Sequence, residues 1–342
     1  MTLSNNPSLL KSRLALAAAL GLAIAVPASA QDTLKIATAS TSVAHGPLTM
    51  AVVAPEIFGK HNLKIEVSDL RGNSANCIVA LISGAADLCQ VGTTTGTDAI
   101  AEGANLKAVA ILTGPINELI LSSKAVAKTG VKPDAPLADR IRALKGMRLT
   151  TSAPGTAHYT TLMETLKLVG LQPGDIQFRT LGDVPAMIQS IKNDQIDGSL
   201  WTIGSLGGLI TDGSGVRWIS MARGDVTQFK PLPYVTVYAR GDWVEKNPGL
   251  VDRVNKAYAD SIARLKSDPA NSSKLIKARY FPDLDQALWD DGFSQAVASY
   301  FDGAKGIRKG WQDFLDLQAA ATKKNYDAAA FDKAVIPQAR AD

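Results

Sequence analysis

Ile78-Val79-Ala80-Leu81-Ile82-Ser83-Gly84-Ala85-Ala86-Asp87-Leu88-Cys89-Gln90-Val91-Gly92 reads as an apolar helix, a tight turn and a strand. The layout returns at Ile188-Gln189-Ser190-Ile191-Lys192-Asn193-Asp194-Gln195-Ile196-Asp197-Gly198-Ser199-Leu200-Trp201-Thr202. Ile78 matches Ile188, Leu81 matches Ile191, and Asp87 matches Asp197. The echo extends upstream, with His61 to Val67 leading into the first copy and Leu171 to Phe178 into the second. Two similar α/β units in a chain of 342 residues imply two lobes with a cleft between them. Such a cleft is a common way to enclose a small molecule.

Working outward, strands and helices alternate, which predicts largely parallel sheets covered on both faces. Leu34 to Thr38 is a first strand, and Gly46-Pro47 opens a helix to about Gly59. Gly92 to Gly96 reads as a polar loop before a helix from about Thr97 to Glu102. Ile116 to Ser122 is a strand that crosses toward the second lobe. Met147 to Thr151 starts the second unit, and Ser152-Ala153-Pro154-Gly155-Thr156 opens its first helix. Pro231-Leu232-Pro233 breaks the alternation, and Tyr234 to Ala239 is assigned back to the first lobe. Helices follow, including Leu284 to Phe301 and Gly310 to Leu317. The expected division is therefore 1–30 as a leader, 31–115 with 229–342 as lobe one, and 116–228 as lobe two. Crossings near Gly114 and near Arg223 to Gln228 would form a two-strand hinge.

Lys11 and Arg13 precede the apolar run Leu14 to Val26, which is short of the ~20 residues that span a bilayer. Ala28-Ser29-Ala30 is a small-x-small cleavage site, so the expected mature protein begins at Gln31 and is exported to the periplasm. The formal charge is +4, and removal of Lys11 and Arg13 leaves +2. That bias is too weak for nucleic acid, and no dense Lys/Arg run with interleaved aromatics appears. An exported compartment permits a disulfide between Cys77 and Cys89, but we read them as two small buried residues.

Ligands of open α/β sheets sit beyond the carboxyl ends of the strands. That rule selects the loops Thr38 to His45, Arg71 to Ser74 and Gly92 to Thr95 in lobe one. In lobe two it selects Ser152 to Tyr159, Gly182-Asp183 and Trp201-Thr202. Their small hydroxyls and backbone N–H groups suit an oxyanion, with Ser42, Asn73, Ser74, Thr93, Thr94 and Thr156 as candidates. Helix starts after Asn73 and after Pro154 would add partial positive charge. His45 and His158 occupy matching first loops and are read as hydrogen-bond donors to a guest. Trp201 offers a flat wall or packs between lobes, and Asp183 either accepts from an amine or caps a helix. Arg71 is the single cation of these loops. No metal-ligand spacing, P-loop, Gly-x-Ser-x-Gly or His-Glu-x-x-His occurs, so neither cofactor, metal nor catalytic residue is expected.

From Leu34 to Ala278 the chain resembles the periplasmic substrate-binding proteins of ABC importers for nitrate, sulfonates and taurine. The resemblance is carried by His45-Gly46-Pro47-Leu48, by Ile57 to Val67, and by Ser83-Gly84-x-x-Asp87 leading to Val91-Gly92. It continues through Leu144 to Leu149, Ser152 to Tyr159, Gln195-Ile196-Asp197 before Trp201, and Val244 to Pro248. It implies a two-lobed type II periplasmic binding protein fold, each lobe a mixed, mostly parallel sheet flanked by helices. It also implies a small anionic ligand, an ABC permease as partner, and a monomer. The first loop departs from the family in holding no aromatic residue between Thr38 and Ala44. A rival reading is an enzyme on the same fold acting on a pyrimidine or menaquinone precursor, against which the export signal weighs. A transcription-regulator effector domain would need a DNA-reading segment where the leader stands.

Overall fold

The computed structural model describes Met1 and residues 31–341, with 72 and 155 excepted, so the leader and its cleavage site lie outside the described residues. Ten strands form two sheets: β1 (Asp32–Thr38), β2 (Leu63–Asp69), β3 (Leu88–Gly92), β4 (Leu106–Thr113), β5 (Asn117–Ser122), β6 (Arg148–Thr151), β7 (Gln177–Thr180), β8 (Gly198–Thr202), β9 (Gly215–Ser220) and β10 (Val235–Arg240). The orders are β2-β1-β3-β10-β4 and β7-β6-β8-β5-β9. In each sheet one strand runs antiparallel between parallel neighbours, β10 in the first and β5 in the second. The two orders are the same once β6, β7, β8 and β9 are set against β1, β2, β3 and β4. Buried runs such as Leu88 to Val91 and Ala108 to Thr113 follow from helices covering both faces.

The duplicated stretch has a physical reason. The Asp87 N–H donates to the Lys35 carbonyl at 2.8 Å, and the Lys35 N–H donates back to the Asp87 carboxylate at 2.9 Å. Likewise the Asp197 N–H donates to the Arg148 carbonyl at 2.7 Å, and the Arg148 N–H donates to the Asp197 carboxylate at 2.8 Å. Each aspartate thus stitches its helix–turn–strand unit to the neighbouring parallel strand, β1 in the first sheet and β6 in the second. The turn needs a left-handed residue, and Gly84 (φ 77°) and Asp194 (φ 57°) supply it at matching positions.

The chain passes between sheets through 114–116 and returns through 221–234. The segments run side by side: a Cβ at Gly114 would sit 2.9 Å from the Lys230 carbonyl oxygen. Helices Pro248–Ser267 and Pro269–Tyr280 cover the first sheet through Val254, Tyr258, Ile262, Leu265 and Ile276. The Gln286–Ser299 helix buries Trp289, Phe293 and Ala296 in that same core. Its polar side reaches the second sheet. Arg217 Nε donates to the fully buried Glu118 at 2.6 Å and also pairs with Asp291. The Ser220 hydroxyl donates to Gln295 at 2.9 Å.

Several expectations are corrected. Cys77 and Cys89 are bonded to one another, with Cα atoms 5.7 Å apart. The Ser74–Ile82 helix lies directly on β3, so two buried positions flanking one turn face each other, a proximity that residue spacing does not reveal. The helix expected to run from Gly46 to Gly59 stops at Val53, because Pro55 disfavours helical geometry at Ala54 (φ −132°, ψ 69°); a single turn, Glu56–Gly59, follows. Thr93 to Thr95, expected as loop, are the first turn of the Thr93–Ala101 helix, where the Thr97 hydroxyl bonds back to the Thr93 carbonyl at 3.0 Å. The Ser123–Thr129 helix was not anticipated, and the helix expected over Gly310 to Leu317 extends to Arg308–Thr322.

Candidate functional site

At the carboxyl end of β3, Gly92 is both the last strand residue and the N-cap of the Thr93–Ala101 helix. Beyond β6, Thr156 caps the Ala157–Lys167 helix, its hydroxyl accepting from the Tyr159 N–H at 3.4 Å. That hydroxyl is fixed further by the Ser152 side chain at 2.5 Å and the Ala153 carbonyl at 2.7 Å. Both helix starts border one cavity of about 310 Å³. The first contributes Gly92, Thr94 and Thr95, and the second Thr156, Ala157, Thr160 and Thr161. The crossing segments add Pro115 and Leu232 to Tyr234. The Arg308–Thr322 helix completes the wall with Phe314, Leu317, Gln318, Ala321 and Thr322.

Among the described residues, none that lines the cavity is charged. The first N–H groups of a helix lack intrahelical partners and carry the positive end of its dipole. A cavity flanked by two such starts and several hydroxyls can therefore accept an anion without a counter-cation. Larger depressions of about 880 and 710 Å³ lie beside Arg148 and beside Val67, and each draws on the surroundings of one sheet alone.

A relay of polar contacts leads from the cavity into the second sheet. The Tyr234 hydroxyl is pushed up to about 12 by burial, against an opposing hydrogen bond from Thr202. Thr202 in turn bonds His158 Nε2 at 3.0 Å. The His158 ring stacks on Trp201, with centroids 4.5 Å apart and planes 5° from parallel. Burial holds His158 down to about 4, so the ring is neutral at neutral pH.

The residues predicted from sequence thus divide. Thr94 and Thr156 line the cavity. Thr93 is buried beside it, its hydroxyl 2.8 Å from that of Thr236. His158 and Trp201 support the wall through Thr202. Ser42 does not line the cavity; its hydroxyl meets His45 Nδ1 at 3.0 Å, and the Ser40 hydroxyl meets the same atom at 3.2 Å. His45 is 8% exposed and held down to about 4, by burial first and against the charge of Asp69. Its Nε2 has no partner among the described residues. Asn73 and Asp183 act as caps, accepting from the N–H groups of Asn76 at 3.0 Å and Ala186 at 2.8 Å. Ser74 opens the helix that Asn73 caps and does not line the cavity; the helix start beside the first sheet that does is that of Thr93. Arg71 is exposed, with its N–H donating to Asp69 at 2.8 Å. Sequence reasoning missed Tyr234, Phe314, Leu317 and Gln318. The break at Pro231-Leu232-Pro233 and the helix near Gly310 were visible, but nothing local placed them at the cleft.

Among the described residues no helix is long and apolar enough to cross a membrane, and no group of three or more His, Cys, Asp or Glu could hold a metal ion. A family profile described as NMT1-like family matches residues 28–279. No curated protein matches the chain. Among solved structures, the putative periplasmic sulfonate-binding protein of Methylobacillus flagellatus is similar at a TM-score of 0.68 and 16% identity, over 90% of this chain and 92% of that one. The alkanesulfonate-binding protein of Xanthomonas axonopodis pv. citri bound to MOPS follows at 0.61 and 19%, over 89% and 98%. The periplasmic nitrate-binding protein of Synechocystis is similar at 0.55 and 16%, over 91% of each. At these identities the likeness establishes the fold, that of the periplasmic binding proteins.

Proposed function

The chain belongs to the NMT1-like family, and on that premise we propose that it is the solute-binding component of an ABC importer. It is exported, cleaved after Ala30, and captures a small anionic organic solute such as a sulfonate, or an oxyanion. It carries the solute, as a monomer, to a permease in the inner membrane. The lobes are 31–115 with 229–342, and 116–228, and they close about the solute through the paired crossings. The observation that carries this reading is the cavity bordered by the helix starts at Thr94 and Thr156, one from each sheet. Contacts made only when both sides reach the solute would favour the closed form. The solved structures of like fold named as sulfonate- and nitrate-binding proteins support the same class of ligand.

The test is a thermal-shift panel of sulfonates, carboxylates, nitrate and pyrimidines, followed by calorimetry on any hit. A specific ligand at 100-fold its dissociation constant stabilises the fold by ~2.7 kcal/mol. Binding of an anion without turnover supports the reading. Turnover of a pyrimidine with no anion bound overturns it in favour of an enzyme.

A further inference from the structure

The Gln286–Ser299 helix carries two stripes that face different sheets. Trp289, Phe293 and Ala296 recur at helical spacing and are buried in the core of the first sheet. Leu288, Asp291 and Gln295 form the other stripe, on the side of the second sheet. Leu288 comes within 3.0 Å of where a Cβ on Gly207 would stand. Glu118, fully buried, accepts the Gly204 N–H at 3.0 Å on one oxygen and Arg217 Nε at 2.6 Å on the other. That pairing lies within the second sheet, and it leaves the far end of the Arg217 guanidinium to pair with Asp291. Arg223 reaches the same carboxylate at 3.5 Å. Gln295, 1% exposed, accepts from the Ser220 hydroxyl at 2.9 Å and donates to Asp291 at 3.1 Å and to Glu118 at 3.4 Å. Its oxygen and its two N–H groups are therefore each used. The backbones also meet: a Cβ at Gly204 would lie 3.5 Å from the Gly292 Cα.

We propose that this helix is a clasp that sets the angle between the two sheets in the empty protein. An apolar seam alone would let one sheet roll on the other, because burial has little direction. A buried and satisfied polar network does have direction. A small rotation at this seam would strand the Gln295 amide and the Asp291 carboxylate away from both partners and water, which costs more than the bonds themselves contribute. The crossings at 114–116 and 221–234 let the chain bend, and the clasp selects which bends are populated. Glu118 and Arg217 satisfy one another inside the second sheet. Removing Asp291 and Gln295 therefore frees the angle without leaving that buried carboxylate unpaired. The inference goes beyond the solute-binding reading and does not depend on which solute is carried.

Paired spin labels on the purified, solute-free protein test this by measuring the distance between the two sides. Lys274→Cys on the Pro269–Tyr280 helix and Lys167→Cys on the Ala157–Lys167 helix give one label to each side. Both positions are exposed, and Cys77 and Cys89 are bonded to each other and take no label. With the clasp intact, one narrow distance distribution is expected. Asp291→Ala with Gln295→Ala should add a second, displaced population, raised on the order of tenfold over wild type, the equivalent of about one charged hydrogen bond. Asp290→Ala is the control on the same helix: its exposed carboxylate meets Gln286 at 2.8 Å, and its loss should leave the distribution unchanged. Where the double variant does not fold, Asp291→Asn keeps the shape, weakens the Arg217 contact and should shift the distribution the same way by less. A folded Asp291 variant with the wild-type distribution would overturn the clasp, even if its melting temperature fell, because the contacts would then serve stability alone. A wild type already spread over two distances would overturn it as well. Neither result bears on whether the protein binds an anion, which the ligand panel decides separately.

Discussion

Asp197 grips Arg148 twice, taking the N–H of its backbone at 2.8 Å and its guanidinium at 2.6 Å. Asp87, the equivalent residue of the first unit, holds the N–H of Lys35 and, among the described residues, no guanidinium. Burial would raise the Asp197 carboxyl, but the Arg148 hydrogen bonds outweigh it and hold it below the usual carboxylate range. Replacing Asp197 by Ala leaves the guanidinium with the Asp194 contacts alone and should cost about 2–3 kcal/mol. Asp87→Ala should cost about 1 kcal/mol. Urea unfolding of both variants compares them directly. Equal losses would show that the side-chain pairing of Arg148 adds nothing to the shared backbone stitch.

The Cys77–Cys89 bridge closes a short loop between two fully buried positions. Loops of this size constrain the unfolded chain by about 3 kcal/mol. Cys77→Ser with Cys89→Ser should therefore lower the urea midpoint and leave ligand affinity within twofold. Mass spectrometry without reductant should find the wild type two hydrogens lighter than its reduced form.

His45 and His158 are both held near 4 by burial, below the ordinary value of 6.5. Between those values the unfolded chain binds more protons than the folded one, so stability rises with pH there. It is fully present above about 6.5 and is lost as pH falls toward 4, by on the order of 2–3 kcal/mol for each histidine. Unfolding curves at pH 7.5, 6 and 5 should show the decline. His45→Gln with His158→Gln should flatten it. An unchanged slope in the double variant would place the loss elsewhere.

Gly310 allows the Arg308–Thr322 helix to touch the Pro231 carbonyl. Gly310→Ala has to lift that helix, with an overpacking cost of about 1–3 kcal/mol. Because Phe314 and Gln318 ride on the same helix, affinity should drop along with melting temperature. Gly249, which no atom crowds within 4 Å, should accept Ala with neither effect.

The duplicated helix–turn–strand was readable because its constraints are local. A buried helix face, a left-handed turn and the aspartate that opens the strand all fall within fifteen residues, although the strand that aspartate bonds lies about fifty residues earlier. The Val184–Lys192 helix and its Asp183 cap were readable on the same grounds. The sequence also pointed to Thr94 and Thr156, since both follow directly from a strand end. It could not show which polar side chains are already spent. Ser42 on His45, Asn73 on Asn76 and Asp183 on Ala186 are internal contacts with the chemistry of ligand donors. Nor could it place Gln318, whose partner Thr97 is distant in the chain and whose helix reaches the cavity through packing on Pro231 and on the cores of both sheets. The cysteine pair fell between these cases, for its spacing was visible but the facing of helix and strand was not.

The strand exchange between sheets sets an order of assembly. All five strands of the second sheet lie within residues 117–220, so that sheet can condense as soon as its own stretch is available. The first sheet has a gap between β3 and β4 that only β10 fills, so it waits for residues 235–240. Pulse-labelled hydrogen exchange during refolding should register this as amides of β5, β8 and β9 gaining protection ahead of those in β3 and β4. The middle of the polypeptide matures first, and its beginning is completed by a strand made more than a hundred residues later.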